Sequence, residues 1–135
     1  MTRQPPVNLK VGFTGSRDGM SLYQGSQLAD LFSLLMVRDY GGEFHYGTHA
    51  EVVLKADEQA AKMAAACGFR LRPYHAVQGG ELLRNRRIVE AVDLLVAAPA
   101  TDREIQRSGT WATVRYARRK TIMVVMLSRG QEVER

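Results

Sequence analysis

The sequence predicts an α/β fold built on an open parallel sheet, because short apolar segments alternate with segments of helical periodicity. The first of these segments carries Leu9, Val11 and Phe13 and ends at Gly15, and the last is almost purely apolar, which is typical of buried strands in a parallel sheet. The segments between them repeat apolar residues every three or four positions, as crossover helices do. This alternation requires right-handed crossovers and predicts the strand order 3-2-1-4-5, with helices on both faces of the sheet.

The first predicted strand and helix occupy the start of the chain. Residues 9–14 form an apolar run that ends at Gly15-Ser16, the pattern of a buried strand followed by a tight turn. Residues 22–38 then place leucine and phenylalanine at helical spacing, and Gly41-Gly42 are expected to end this helix. We interpret the segment as the first crossover of the sheet.

The middle of the chain predicts two short strands around a second helix. Residues 43–46 are expected to form the second strand. Residues 51–67 carry an alanine-rich helical stripe that Gly68 ends. Residues 69–74 follow as a third strand, which Pro73 is expected to cut short.

The remaining elements complete a Rossmann-like sheet. A helix over 81–91 precedes a fourth strand over 93–98, which is apolar after Asp93. A helix over 108–119 then leads to an apolar last strand over 121–127. In such a sheet the ligand crevice lies between strands one and four, where the strand order reverses.

Length and composition predict a single soluble domain. The chain has 135 residues, 45% of them hydrophobic, so we expect one domain over 1–135 with its core at about 9–127. Cys67 is the single cysteine, which favours a reduced, cytoplasmic setting without disulfides. No apolar run approaches the length of a membrane span, and residues 1–8 lack the apolar core of a secretion signal.

The net charge predicts an anionic partner. The formal charge is +5 and the isoelectric point is near 9.7. Much of the excess lies in the second half of the chain, in Arg84, Arg86, Arg87, Arg103, Arg107, Arg115, Arg118, Arg119 and Lys120. Charge alone does not separate a small nucleotide from a nucleic acid.

Two small-residue turns at the expected sheet edge predict a phosphate site. Ser108 has the character of a helix N-cap, and the backbone N–H groups that follow it face outward at the positive end of the helix dipole. The turn after the first strand lies at the same edge of the sheet. The predicted ligand- and phosphate-binding residues are Gly15, Ser16, Arg17, Arg84, Asn85, Ser108, Gly109 and Thr110.

Base or ribose contact is assigned to Trp111 and Thr48. A tryptophan in the first turn of a helix can stack on a base, but it is as often a core or dimer-interface residue. The three histidines, His45, His49 and His75, lack metal-ligand spacing, so neither a metal nor another cofactor is expected. His49 is at most a candidate acid or base.

The spaced motifs resemble the SLOG superfamily over roughly residues 10–127. They are Val11-Gly12-Phe13-Thr14-Gly15-Ser16-Arg17, Arg84-Asn85, Asp93 before an apolar strand, Pro99, and Ser108-Gly109-Thr110. That superfamily contains Rossmann-like nucleotide sensors, the Lonely-guy phosphoribohydrolases and the DNA-processing protein A family. The resemblance implies a nucleotide-derived ligand and a homodimer.

The phosphoribohydrolase branch can be compared residue by residue. Arg84 matches its catalytic arginine, and Gly109-Thr110 match part of its glycine-rich motif. Thr113, however, stands where that branch has its catalytic glutamate, and an insertion at 100–106 precedes the glycine. Arg84 is therefore a weak catalytic candidate. Another carboxylate, Asp18 or Glu104, would have to replace the missing glutamate.

The second strand departs from small SLOG proteins, which have an Asp-Cys pair where this chain has Thr48-His49. Glu51, Asp57 and Glu58 are partial substitutes for that pair. Asp93 is expected to play a structural role, as a cap or as the partner of an arginine.

Three functions remain open at this point. The leading hypothesis is a stand-alone sensor or sequestering domain that binds a nucleoside monophosphate or an ADP-ribose-like ligand. The second is a nucleotide N-glycosidase, and the third is a single-stranded DNA-binding module.

Overall fold

The computed structural model describes residues 8–37 and 42–130, which form a five-stranded sheet and four helices. The strands are β1 (Lys10–Gly15), β2 (Glu43–His49), β3 (Arg70–Ala76), β4 (Leu94–Ala98) and β5 (Met123–Met126). The helices are α1 (Leu22–Val37), α2 (Lys55–Ala66), α3 (Glu81–Ala91) and α4 (Gly109–Arg119). Of these helices, none has the length and apolar character needed to cross a membrane.

All strand pairings are parallel, and the order β3-β2-β1-β4-β5 confirms the predicted topology. Alternate β1 side chains point to opposite faces. Val11 and Phe13 enter the main core with residues of α1 and α2, whereas Gly12 lies against α3. Gly15 pairs with Ala98, so β1 and β4 end level at the point where the strand order reverses.

The two N-terminal ends of these central strands are also joined. The Asp93 carboxylate accepts a hydrogen bond of 3.0 Å from the backbone N–H of Lys10. The Asp93 backbone N–H donates in turn to the carbonyl oxygen of Lys10, at 2.8 Å. Asp93 therefore plays the structural role that its position at the strand start predicted.

Strand and helix ends differ from the prediction in the β2–α2–β3 region. β2 continues to His49 instead of ending at residue 46, because Gly47, Thr48 and His49 pair with β3. α2 begins at Lys55 and not at residue 51. Pro73 does not shorten β3, which is an edge strand and therefore tolerates a missing N–H on its open side.

The predicted ends of two other elements also need comment. β5 is shorter than the predicted 121–127, and Thr121 has a positive φ of 58° just before it. The predicted end of the first helix at residue 38 and Gly41 of its glycine stop lie outside the described residues.

A buried glutamine ties α1 to the site edge of the sheet. Ser21 Oγ accepts the Gln24 backbone N–H, and Gln24 Oε1 accepts the Ser21 N–H, which is a reciprocal N-terminal cap. Gln24 Nε2 then donates to the carbonyl oxygens of Pro99 at 2.8 Å and Leu127 at 3.1 Å. The loops after β4 and β5 are thereby fixed against the start of α1.

Candidate functional site

A cleft of about 350 Å³ opens at the carboxyl ends of β1 and β4. Its walls come from the loop after β1, the first turns of α2 and α3, and the N-terminus of α4. The lining residues are Thr14, Gly15, Ser16, Arg17, Leu54, Asp57, Glu81, Leu82, Arg84, Asn85, Ala100, Arg107, Ser108, Gly109 and Thr110. All eight residues predicted to bind a ligand or phosphate therefore line one cleft, at the edge where the topology predicts a ligand.

The N-terminus of α4 supplies backbone donors to this cleft. Ser108 is the N-cap, and its hydroxyl accepts the Trp111 N–H at 3.2 Å. Within the described part of the chain, the N–H groups of Gly109 and Thr110 donate to no protein acceptor. Two free N–H groups at the positive end of an eleven-residue helix favour an anion.

Arg84 of α3 is a buried cation in the lining of the cleft, with 6% of its surface exposed. Its Nη1 donates to the carbonyl oxygens of Thr48 at 2.6 Å and Tyr74 at 3.1 Å, and its Nε donates to Asn85 Oδ1 at 2.7 Å. No carboxylate oxygen among the described residues lies within 4.0 Å of the guanidinium. Burial lowers the pKa of Arg84, whereas the more distant charges of Asp57 and Glu81 raise it.

Gly47 makes room for this guanidinium. A Cβ atom at position 47 would lie 2.5 Å from Arg84 Nη1 and 2.6 Å from Cζ, too close for any side chain without displacement of the arginine. The Gly47 backbone N–H also donates to Asp57 Oδ2 at 3.1 Å. One glycine in β2 thus positions both a buried cation and a buried carboxyl.

Asp57 is the buried carboxyl of the cleft, with 6% of its surface exposed. Burial raises its pKa from 3.8 to about 7, although the Gly47 N–H and the Arg84 charge oppose that shift. Its protonation therefore changes near neutral pH. The sequence offers Glu51, Asp57 and Glu58 as partial substitutes for the missing Asp-Cys pair. Of these three residues, Asp57 lines the cleft, and Glu51 and Glu58 do not.

Glu81 is the second carboxylate of the cleft, and sequence reasoning did not identify it as a site residue. His49 Nδ1 accepts the Glu51 N–H at 3.1 Å, so Nε2 carries the proton and donates to Glu81 Oε2 at 3.0 Å. Arg17 Nη2 lies 3.6 Å from the same oxygen. The pKa of the Glu81 carboxyl is lowered, first by its own backbone N–H and also by His49, so the group stays ionised.

The structure does not bring Trp111 or Thr48 into the cleft. Trp111 is 6% exposed and packs against Ala97 and Val114, which matches the core alternative and not a base contact. The Thr48 hydroxyl lies 3.1 Å from His75 Nδ1, and its carbonyl oxygen accepts from Arg84. Thr48 therefore supports the arginine but does not line the cleft.

Thr113 holds a structural position where the resemblance expects a catalytic glutamate. Its hydroxyl donates to the Gly109 carbonyl oxygen at 2.8 Å and accepts from Asn85 Nδ2 at 3.0 Å. Neither proposed replacement lines the cleft: Glu104 pairs with Arg115 at 2.8 Å, and Asp18 is exposed. The carboxyl groups that the cleft offers are instead those of Asp57 and Glu81.

Basic residues also gather around Tyr116 of α4. The cationic groups of Arg86, Arg119 and Lys120 lie 5.1, 5.8 and 5.6 Å from the centre of the Tyr116 ring. Arg107 lines the cleft itself. The sequence identified it only as one of the basic residues in the second half of the chain. Across residues 8–37 and 42–130, no group of three or more His, Cys, Asp or Glu side chains is placed to hold a metal ion.

Comparison with known proteins gives the fold. No protein-family model and no curated protein matches the chain. The molybdenum cofactor binding protein of the phototrophic bacterium Rippkaea orientalis is similar in structure, with a TM-score of 0.62 and 16% identity over 88% of this chain and 76% of that one. A universal stress protein in complex with cAMP gives a TM-score of 0.53 and 13% identity over 91% and 99%. The chain has a Rossmann-like α/β fold.

Proposed function

We propose that this protein binds a nucleotide, with the phosphate held between Arg84 and the N-terminus of α4. The observation that carries the proposal is the buried Arg84 guanidinium, which lines the cleft with no carboxylate in contact among the described residues. A buried charge without a counter-ion is costly, so buried cations are normally paired. A phosphate would supply a negative charge in direct contact with the guanidinium, which Asp57 and Glu81 do not.

Other groups in the cleft favour the same ligand. The Gly109 and Thr110 N–H groups add two donors, and Arg17 and Arg107 add positive charge at the cleft mouth. Arginine and backbone N–H groups together are the usual donors to phosphate oxygens.

The size of the cleft favours a mononucleotide or a ligand of similar size. Ligand pockets span about 300–1,000 Å³, and this cleft of about 350 Å³ lies at the lower end of that range. Two of the structural neighbours are described as a molybdenum cofactor binding protein and as a universal stress protein in complex with cAMP, which supports a small-molecule ligand. We therefore propose a nucleoside monophosphate, and not the larger ADP-ribose-like molecule, as the ligand of a sensor or sequestering domain of the SLOG type.

Replacing Gly109 by proline tests the phosphate position. Gly109 is the first residue of α4, where proline is tolerated, and Ser108 before it already has the extended backbone that precedes proline (φ −74°, ψ 129°). The substitution removes one free N–H from the cleft. We expect the affinity for AMP, measured by calorimetry, to fall by about ten-fold or more while the melting temperature changes little.

Gly109→Ala is the matched control, because it keeps the N–H and a Cβ there meets no atom within 4 Å. It should bind AMP as the wild type does. If Gly109→Pro folds and retains full affinity, the α4 N-terminus does not hold the phosphate.

Asp57 supports a second candidate, hydrolysis of the N-glycosidic bond of a nucleotide. A carboxyl with a pKa of about 7 can donate a proton to a departing base near neutral pH. Release of adenine from AMP, followed by chromatography, should then be at least 100-fold slower in Asp57→Asn. The absence of base release by the wild-type protein with all four nucleoside monophosphates would leave binding as the function.

A further inference from the structure

Glu81 places a negative charge inside a cleft that is otherwise suited to an anion. It lies on the α3 side, with 26% of its side chain exposed, whereas the free N–H groups belong to α4. A carboxylate repels a phosphate, so it lowers the affinity for the anionic end of any ligand. Glu81 is therefore unsuited to contact the phosphate itself.

The surroundings of Glu81 fix both its position and its charge. The buried His49 side chain orients the Glu81 carboxylate. Its Nδ1 accepts the Glu51 N–H, and its Nε2 donates to Glu81 Oε2 at 3.0 Å. Arg17, at 3.6 Å, approaches the same oxygen from the loop after β1. The carboxylate is therefore an oriented acceptor on the wall of the cleft.

We propose that Glu81 accepts hydrogen bonds from the ribose hydroxyls of the ligand and thereby selects ribonucleotides over 2′-deoxyribonucleotides. This inference rests on the proposed nucleotide binding. A carboxylate accepts hydrogen bonds but donates none, which suits two neighbouring hydroxyl groups and not a phosphate.

A purely structural role for Glu81 makes a different prediction. Glu81 is the first residue of α3, where an acidic side chain is stabilised by the helix dipole. In that case its replacement would lower stability but would not change the ratio of affinities for two ligands that differ by one hydroxyl. The ratio therefore separates the two roles.

The experiment compares AMP, GMP, CMP and UMP with their 2′-deoxy counterparts by calorimetry. The wild-type protein should bind its preferred ribonucleotide at least ten-fold tighter than the deoxy form, since a hydrogen bond to a charged group is lost. In Glu81→Gln this ratio should fall to about two-fold or less, while the deoxy form binds as well as before or better because the repulsion is gone. Glu51→Gln, an exposed carboxylate outside the cleft, is the matched control and should keep the wild-type ratio.

The possible results are distinct. Equal binding of ribo and deoxy forms by the wild-type protein overturns the role of Glu81 and leaves the proposed nucleotide binding intact. A ratio that persists in Glu81→Gln also overturns it. Failure of all eight ligands to bind overturns both proposals. If Glu81→Gln does not fold, Glu81→Asp is the second variant: its shorter carboxylate should lower the wild-type ratio, and an unchanged ratio overturns the role of Glu81.

Discussion

Replacement of Arg84 by alanine is expected to lower the free energy of unfolding by about 2–4 kcal/mol and to abolish nucleotide binding. The stability loss follows because the Thr48 and Tyr74 carbonyl oxygens and Asn85 Oδ1 lose their donor, and an unsatisfied buried polar group costs about 1–3 kcal/mol. Relief from burying a charge offsets part of that sum. Urea unfolding and AMP calorimetry measure the two effects.

Arg87→Ala is the control for this prediction, because Arg87 is exposed on the same helix. Its stability should change by no more than about 0.5 kcal/mol. Arg84→Lys keeps the charge but loses the planar fork, so it should bind AMP more weakly than the wild type and more strongly than Arg84→Ala. An Arg84→Ala protein of wild-type stability and affinity would contradict both assigned roles of Arg84.

Asp57 is expected to make stability depend on pH in a direction opposite to that of most carboxyl groups. Its folded-state pKa of about 7 lies above the ordinary value of 3.8, so the folded protein holds a proton that the unfolded chain releases. The free energy of unfolding should therefore fall as the pH rises from about 4 to about 7, and stay low above that window. Asp57→Asn should be more stable than the wild type at pH 8, by up to about 4 kcal/mol.

The two proteins should approach equal stability near pH 4, where Asp57 is protonated in the folded state. Urea unfolding at pH 4, 6 and 8 measures the difference. Asp30→Asn, at an exposed position of α1, serves as the control and should show no such gain at pH 8. An Asp57→Asn variant that is less stable than the wild type at pH 8 would mean that the charged carboxylate stabilises the cleft.

The sheet and the composition of the cleft could be predicted from sequence because both depend on local patterns and on one topological rule. Apolar runs and glycine stops locate the strands, and parallel strands bring their carboxyl ends to one edge. That rule was sufficient to predict that Gly15, Arg84 and Gly109 line one cleft. Whether these residues bind a phosphate stays a prediction.

The remaining features depend on contacts between distant segments. The sequence around Gly47 and His49 does not alternate apolar and polar residues as a half-buried strand does. These two residues are extended because they pair with β3. Glu81 has the sequence character of a helix-start acid, and only its contact with His49, 32 positions earlier, places it as a cleft carboxylate. Trp111 faces the core because of how α4 packs on β4 and β5, which its position in the helix does not determine.

The most direct test of phosphate binding at this cleft is an AMP titration followed by amide resonances of the ¹⁵N-labelled protein. We expect the N–H signals of Gly109 and Thr110 to shift most and to saturate together with those of Ser16 and Arg17. Shifts confined to the residues around Arg86 and Tyr116 would contradict this expectation and indicate an anion-binding surface outside the cleft. Unchanged Gly109 and Thr110 signals at saturating AMP would contradict it as well.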